Sequence, residues 1–442
     1  MAGPSGAVPS RATSPAGAAA PPSWPSRKHG CAREHTGAGV ATARVPAPGG
    51  APVSRSGRPF LQIPGPTLVP ERIVRAMSES IIDHRGPRFA ALVRECLDGL
   101  KGIFQTERGH IVLYPGSGTG AWEAALVNTL SPADRVLACV NGHFSTGFAR
   151  VAAAYGIEVD RVEVPYGAGI PAAGVEARLR ADGGHQIRAL LAVHNETSTG
   201  VTSDIRALRR AMDAARHPAL LLVDTVSSLA SIDFRMDEWG VDVTLTGPQK
   251  GLMLPPGMAI LAVSDKALAA SEKARCPRSY WDWAPVLERN KRGEFPYTPA
   301  TALLFGLREA LLMLNEEGLA NVFQRHARLA EACRLAVRGM GLEILCRNPA
   351  EYSSTLTAVV MPAGSDSDAY IAHANTTLGM SLGVGLGEAK GRVFRIGHLG
   401  SLNELELLGG LAGVEMTLRS FGVAVPLGAG LAAAEAYLLQ TG

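Results

Sequence analysis

Two short apolar runs near the middle of the chain each end on a residue equipped for chemistry. Leu220-Leu221-Leu222-Val223 stops at Asp224, and Val241-Asp242-Val243-Thr244-Leu245-Thr246 stops at Gly247-Pro248-Gln249-Lys250-Gly251. Each run reads as a buried strand: short, apolar or β-rich, and bounded by polar or turn residues. A carboxylate therefore stands at the end of one strand and an amine just past the end of the next, where open α/β sheets gather their ligands. An Asp and a Lys that face one ligand are what an aldehyde-bearing pyridine needs. The lysine condenses with the aldehyde, and the acid keeps the ring nitrogen protonated.

Other segments offer what such a pair lacks. The strand His110 to Tyr114 runs into Pro115-Gly116-Ser117-Gly118-Thr119-Gly120 and then a helix from Ala121 to Thr129. A Gly-rich turn between strand and helix presents backbone N–H groups at the positive end of the helix dipole, a place for a phosphate, and Ser117 and Thr119 add hydroxyls. Gly116, Gly118 and Ala121 also satisfy the dinucleotide-binding spacing. That alternative needs an acid at the end of the next strand, yet Arg135 to Val140 ends on Asn141-Gly142-His143-Phe144. A turn with no ligand is the other alternative. The strand Ala189 to Val193 ends on His194-Asn195-Glu196-Thr197-Ser198-Thr199-Gly200, either site residues or turn and capping residues. Arg395, flanked by apolar neighbours in Val393-Phe394-Arg395-Ile396, must meet an anion if buried, either a ligand carboxylate or a structural partner.

The elements that position these residues follow a simple plan. Strands alternate with helices up to about residue 263, with Met258 to Val263 returning along the sheet, as in a mostly parallel, doubly wound α/β domain. Beyond Glu316 the order becomes helix, strand, helix, strand, which reads as a smaller α+β domain. The 442 residues thus divide into an N-terminal extension (1–58), a large domain (59–310) and a small C-terminal domain (311–442). The extension is rich in Ala, Pro, Gly, Ser and Arg and is expected to be disordered, as a transit peptide, a mis-assigned start or a functional tail. It holds seven basic residues and one acid, leaving a net charge of −3 on residues 59–442, which gives no sign of nucleic-acid binding. Six scattered cysteines without a C-x-x-C pair suggest reduced thiols, and no metal site is expected. No apolar run reaches the ~18 residues that cross a bilayer, and the C-terminus lacks a Ser-Lys-Leu-type signal. A soluble protein of the cytoplasm or of an organelle matrix is expected.

Taken together, the motifs resemble those of the class V aminotransferases. The resemblance rests on Gly116-Ser117-Gly118-Thr119-Gly120-Ala121-Trp122-Glu123, His194-Asn195-Glu196-Thr197, Asp224-Thr225-Val226-Ser227-Ser228, Gln249-Lys250-Gly251, Pro296-Tyr297-Thr298-Pro299 and Phe394-Arg395-Ile396-Gly397-His398. It covers residues 60–442 and implies a fold type I homodimer dependent on pyridoxal 5′-phosphate, with a seven-stranded-type sheet and sites at the subunit interface. Lys250 would carry the cofactor and shuttle the proton. Asp224 would pair with the ring nitrogen, Val226 and Phe144 would cover the two ring faces, and Thr197 would bond the ring hydroxyl. Ser117, Gly118, Thr119 and Gln249 would hold the phosphate, with Tyr297 and Thr298 reaching in from the partner, and Arg395 would clamp the substrate carboxylate.

The same resemblance implies transfer of an amino group from L-serine to glyoxylate, giving hydroxypyruvate and glycine, with alanine or aspartate as rival donors. Remoter alternatives are a cysteine-desulfurase-like lyase, for which Cys346 is the small-domain candidate, and a relative that has lost the cofactor. The chain departs from the family pattern at Pro248, Thr225 and Gly86, where Ser, Gly and Ser are usual. Pro248 has neither N–H nor hydroxyl to give a phosphate.

Overall fold

In a computed structural model, which describes residues 57–441, the chain builds two main sheets, with helices packed against them, and a two-stranded ribbon of Asn195–Glu196 and Val201–Thr202. The strands are β1 (Phe60–Gln62), β2 (His110–Pro115), β3 (Arg135–Val140), β4 (Glu158–Glu163), β5 (Ile187–Val193), β6 (Asn195–Glu196), β7 (Val201–Thr202), β8 (Leu220–Asp224), β9 (Val243–Thr246), β10 (Met258–Val263), β11 (Glu343–Ile344), β12 (Leu356–Val360), β13 (Met380–Val384) and β14 (Val393–Gly397). The first four helices are α1 (Glu71–Met77), α2 (Pro87–Phe104), α3 (Gly118–Thr129) and α4 (His143–Ala154).

The larger sheet has the order β2-β10-β9-β8-β5-β3-β4. Its pairs β3/β4, β3/β5, β5/β8 and β8/β9 are parallel, whereas β10 runs antiparallel to both β9 and β2. Six strands therefore point one way, with β10 the returning strand expected from the sequence. The carboxyl ends of β2, β3, β5, β8 and β9 all open on one edge. Alternate residues along each strand enter opposite apolar layers: Leu137, Leu190, Leu221 and Val223 on one face, Val136, Leu191, Leu222 and Leu245 on the other. Both layers are buried, so the runs are apolar throughout rather than alternating.

The position of β2 removes the dinucleotide alternative. It is an edge strand paired only with the antiparallel β10, so its Gly-rich turn does not open a parallel strand-helix-strand unit. Helix α3 begins at Gly118, three residues before the sequence pattern suggests, because Ser117 caps it: Gly120 N–H donates to Ser117 Oγ at 3.2 Å.

The second sheet has the order β1-β13-β14-β12-β11. Strand β1 pairs in parallel with β13, Phe60 opposite Met380. Residues 60–62 thus leave the 59–310 segment to which sequence order assigned them, since an extended chain finds free N–H and C=O groups along β13. This pairing brings the following Pro64-Gly65-Pro66 turn to the edge of the large sheet, against Lys250. The expectations for the N-terminal extension concern residues that, but for Gly57 and Arg58, lie outside the described range. Among the described residues no helix is long and apolar enough to cross a membrane.

Gly251 shows how tightly the lysine loop is seated. A Cβ there would collide with the Leu229 carbonyl and come within 2.6 Å of Ser231 Oγ. Gly251→Ala is expected to lower stability by about 1–3 kcal/mol, read from the urea midpoint. An unchanged midpoint would mean that the loop has slack.

Candidate active site

A cavity of about 200 Å³ opens at the carboxyl edge of the large sheet and contains both Asp224 and Lys250. Five strand ends and the Gly65-Pro66 turn supply its lining. Larger clefts beside Pro362 and Leu312 are open to solvent, and their charged residues are exposed or half-exposed. Neither sets a buried amine near a buried carboxylate.

Asp224 is the last residue of β8 and is 3% exposed. Trp122 Nε1–H donates to its Oδ2 and Val226 N–H to its Oδ1, each at 2.7 Å. Burial raises the Asp224 carboxyl to about 6, against the lowering effect of those two donors. Each oxygen keeps a lone pair for a further donor. The carboxylate is thus oriented and has acceptor capacity to spare.

Lys250 follows the turn after β9. Its Nζ donates to the Pro64 carbonyl, and a Cβ on Gly65 would lie 2.7 Å from Nζ, so only glycine lets the turn close over the amine. Burial first and then the Arg395 charge lower the amine to about 7, with Asp224 opposing both. At neutral pH a large fraction of the amine is therefore the free base that attacks a carbonyl.

Arg395, on β14 of the second sheet, is 7% exposed. Its Nε donates to Val384 O at 2.8 Å and its Nη1 to Thr197 O at 2.9 Å. Among the described residues no carboxylate forms an ion pair with it, and burial lowers it to about 10. The structural salt bridge weighed from the sequence is absent among the described residues. Two backbone carbonyls fix the guanidinium and leave the rest of its fork for an anion.

The Gly-rich turn presents a second anion cradle. Ala121 N–H is taken by Ser117 O and Gly120 N–H by Ser117 Oγ, while Gly118 and Thr119 N–H have no partner among the described residues. A Cβ on Gly118 would stand 2.8 Å from Val226 Cγ2, so glycine is needed for the turn to lie on β8's end. Ser117 and Thr119 are exposed at the mouth, and Gln249 Oε1 is buried without a partner. Thr197 Oγ1 donates to Ser227 Oγ at 2.7 Å, and Ser227 Oγ donates to Asn195 O at 2.8 Å. A buried phosphate, a flat ring and an aldehyde fit this set: unpaired N–H groups at a helix start, a free-base amine, and an oriented acid.

Phe144, in the first turn of α4, lines the same cavity. Its backbone is fixed by Glu196, which is 0% exposed. The Glu196 carboxylate accepts from Phe144 N–H (3.2 Å), Ser145 N–H (2.9 Å), Ser145 Oγ (3.0 Å), Ser198 N–H (3.1 Å) and Ser198 Oγ (2.7 Å). Five donors from two segments stabilise the buried charge and cap the helix.

Of the residues singled out in the sequence, Ser117, Gly118, Thr119, Phe144, Thr197, Asp224, Val226, Gln249 and Lys250 meet at this cavity, with Arg395 beside Thr197. Tyr297 and Thr298 do not line it. Tyr297 stacks on Tyr280 at 4.9 Å, and its hydroxyl is buried and unpartnered. Pro248 is buried behind the lysine turn, giving its carbonyl to Leu254 N–H rather than a surface to the cavity. Thr225, in place of the usual glycine, ties β8 to β9 through its hydroxyl and Leu245 O at 3.0 Å. His194 packs against Phe234 and Trp239 instead of the cavity. Cys346 is buried away from the cavity, its thiol raised to about 11 by burial, which leaves the desulfurase alternative without a nucleophile there. Sequence reasoning gave no role to Trp122 or Glu196. Both stood in quoted motifs, but contacts made across 102 and 51 residues leave no local signal.

Comparison with known proteins places this geometry. Residues 60–384 match the family model described as Aminotransferase class-V. The L-aspartate–glyoxylate aminotransferase of Paracoccus denitrificans is 48% identical over 86% of this chain and 96% of its own length. The serine–glyoxylate aminotransferase of Methylorubrum extorquens is also 48% identical, over 87% and 97%. Among solved structures, ureidoglycine–glyoxylate aminotransferase from Bacillus subtilis superposes with a TM-score of 0.81 at 25% identity, covering 88% of this chain and 100% of that one. The chain belongs to the class V aminotransferase family and has the fold type I α/β architecture, a mostly parallel seven-stranded sheet with a second, smaller sheet.

The free-base fraction of Lys250 grows as pH rises through about 7, and Asp224 is ionised above about 6. The rate at which the ligand-free protein attaches an aldehyde, followed by absorbance, should rise with pH through about 7 and then level off. A profile still rising toward the ordinary lysine value of 10.5 would contradict this site.

Proposed function

We propose that this class V aminotransferase binds pyridoxal 5′-phosphate and moves an amino group from L-serine to glyoxylate, releasing hydroxypyruvate and then glycine in a ping-pong cycle. The observation that carries the reading is Arg395: a buried guanidinium without a carboxylate partner, beside an amine that burial keeps close to neutral. Bound pyridoxal phosphate supplies a carbonyl for the amino group and an electron-withdrawing ring that stabilises negative charge at the substrate Cα.

The chain's own residues do the rest. Lys250 would meet the cofactor's carbonyl as the free base, and its amine would take and return the substrate Cα proton. Asp224, ionised, holds a proton on the ring nitrogen, an interaction strengthened by the water-poor pocket. Gly118 and Thr119 N–H, the Ser117 and Thr119 hydroxyls and the Gln249 amide hold the phosphate. Val226 and Phe144 cover the ring faces and exclude water, and Thr197 accepts from the ring hydroxyl because its own proton is given to Ser227. Arg395 takes the α-carboxylate common to the amino acids and to glyoxylate. The protein acts as a homodimer, Tyr297 and Thr298 serving the partner's phosphate, and its 59–310 portion, apart from β1, and its 311–442 portion act as large and small domains.

The choice of donor follows from charge. An aspartate donor brings a second carboxylate and needs a second cation, but among the described residues the cavity lining holds no cation beyond Lys250, and Arg395 stands beside it through Thr197. Serine and glyoxylate each need only one. The serine–glyoxylate relatives from Methylorubrum extorquens and Arabidopsis thaliana, 48% and 47% identical, support the same reading.

Steady-state kinetics with glyoxylate as acceptor should give kcat/KM for L-serine above those for L-alanine and L-aspartate. A preference for aspartate or alanine would overturn the serine assignment. Arg395→Ala should lower kcat/KM by roughly 30- to 1,000-fold, the loss of a buried charge-assisted contact, with the acceptor affected as strongly as the donor. An effect on one substrate alone would contradict a shared carboxylate clamp.

A further inference from the structure

We propose that Trp122 is a positioning residue for Asp224, clamping helix α3 to the end of β8 so that the phosphate cradle and the ring-nitrogen acid are held at one fixed spacing. The inference rests on the proposed function and goes beyond it in naming Trp122, which lines the cavity beside Asp224, as the residue that orients the acid.

Three observations carry it. The indole Nε1–H of Trp122 donates to Asp224 Oδ2 at 2.7 Å, while Val226 N–H holds Oδ1 at the same distance. With both oxygens engaged, the carboxylate cannot rotate about its Cβ–Cγ bond without breaking a charge-assisted hydrogen bond. Second, the indole is itself fixed. It is 6% exposed, stacks on Phe148 with centroids 5.6 Å apart and planes 15° apart, and lies against Gly147, where a Cβ would approach the ring to 3.2 Å. Third, Trp122 lies one helical turn after Gly118, roughly 6 Å along the axis at 1.5 Å per residue. Gly118 is itself pressed onto Val226, two residues after Asp224. Helix α3 therefore meets the end of β8 at two points. Its free N–H groups stand at one of them and Asp224 at the other.

A phenylalanine at position 122 would keep an aromatic ring against Phe148 but lose the N–H together with part of the indole's volume. Asp224 would then be held by one donor, in a field that includes Glu196, which disfavours its ionised form, and Lys250, which favours it. The acid would be both less ordered and less ready to ionise.

The test uses the full chain and pyridoxal phosphate itself, measured by equilibrium dialysis alongside the thermal unfolding of the ligand-free protein. Trp122→Phe should weaken cofactor affinity about tenfold, the worth of one hydrogen bond to a charged group, while the ligand-free protein still unfolds cooperatively, at a temperature lower by roughly 5 °C for the lost ring volume. On an Asp224→Asn background the same substitution should add less than about twofold, because the group through which Trp122 acts is gone. Phe148→Leu, which keeps the N–H, should cost affinity less than Trp122→Phe does. Full affinity in Trp122→Phe, or an undiminished loss on the Asp224→Asn background, would overturn the proposal and leave the proposed function standing. Failure of the wild-type chain to bind pyridoxal phosphate would overturn both.

Discussion

Burial acts on two oppositely charged side chains of this protein without letting them cancel. Asp224 and Lys250 close adjacent strands at the edge of one sheet and share one cavity, and desolvation is the leading influence on each. A direct ion pair would have driven the carboxyl down and the amine up. Instead burial raises the acid to about 6 and lowers the amine to about 7, while Asp224 is held by Trp122 and Val226, and Lys250 by the Pro64 carbonyl, rather than by each other. Both groups stay close to the point where a small change in surroundings decides their charge. That suits an acid which must hold a proton on a ring and an amine which must lose one to attack.

Keeping them apart falls to the rest of the fold. Parallel strands place their carboxyl ends on one edge, and the antiparallel β10 allows β2 to join them there with its Gly-rich turn. Strand β1, captured by the second sheet, delivers the turn that covers Lys250, and β14 of that same sheet delivers Arg395. Glu196 links these parts. Its carboxylate fixes the start of α4 and thereby Phe144, and its charge favours the ionised form of Arg395 while disfavouring that of Asp224. A carboxylate this buried would be costly alone, and its five donors offset that cost.

Much of this was legible in the sequence wherever the signal was local. Strand runs that stop on Asp224 and just before Lys250, the glycines of residues 116–120, and an arginine set among apolar neighbours are patterns within a few residues of one another. The parts that escaped depend on contacts across the chain. Trp122 sits on a helix that is apolar all round, so nothing in its neighbourhood separates a core tryptophan from one whose N–H meets a carboxylate 102 residues away. Glu196 read equally as a turn residue. Strand β1 is three residues long, and its partner lies more than 300 residues on, so no local pattern marked it as a strand or tied it to the second sheet. Pro248 looked like a lost phosphate ligand, yet it faces inward, and only Gln249 and Lys250 of that turn reach the cavity.

The central claim is that Lys250 is the amine that takes up the cofactor. Borohydride reduction of the protein after incubation with pyridoxal phosphate, followed by proteolysis and mass mapping, tests it directly. The account predicts one modified residue, Lys250, at a stoichiometry of one per chain. Modification spread over surface lysines such as Lys101 and Lys273, with Lys250 left unmodified, would contradict it.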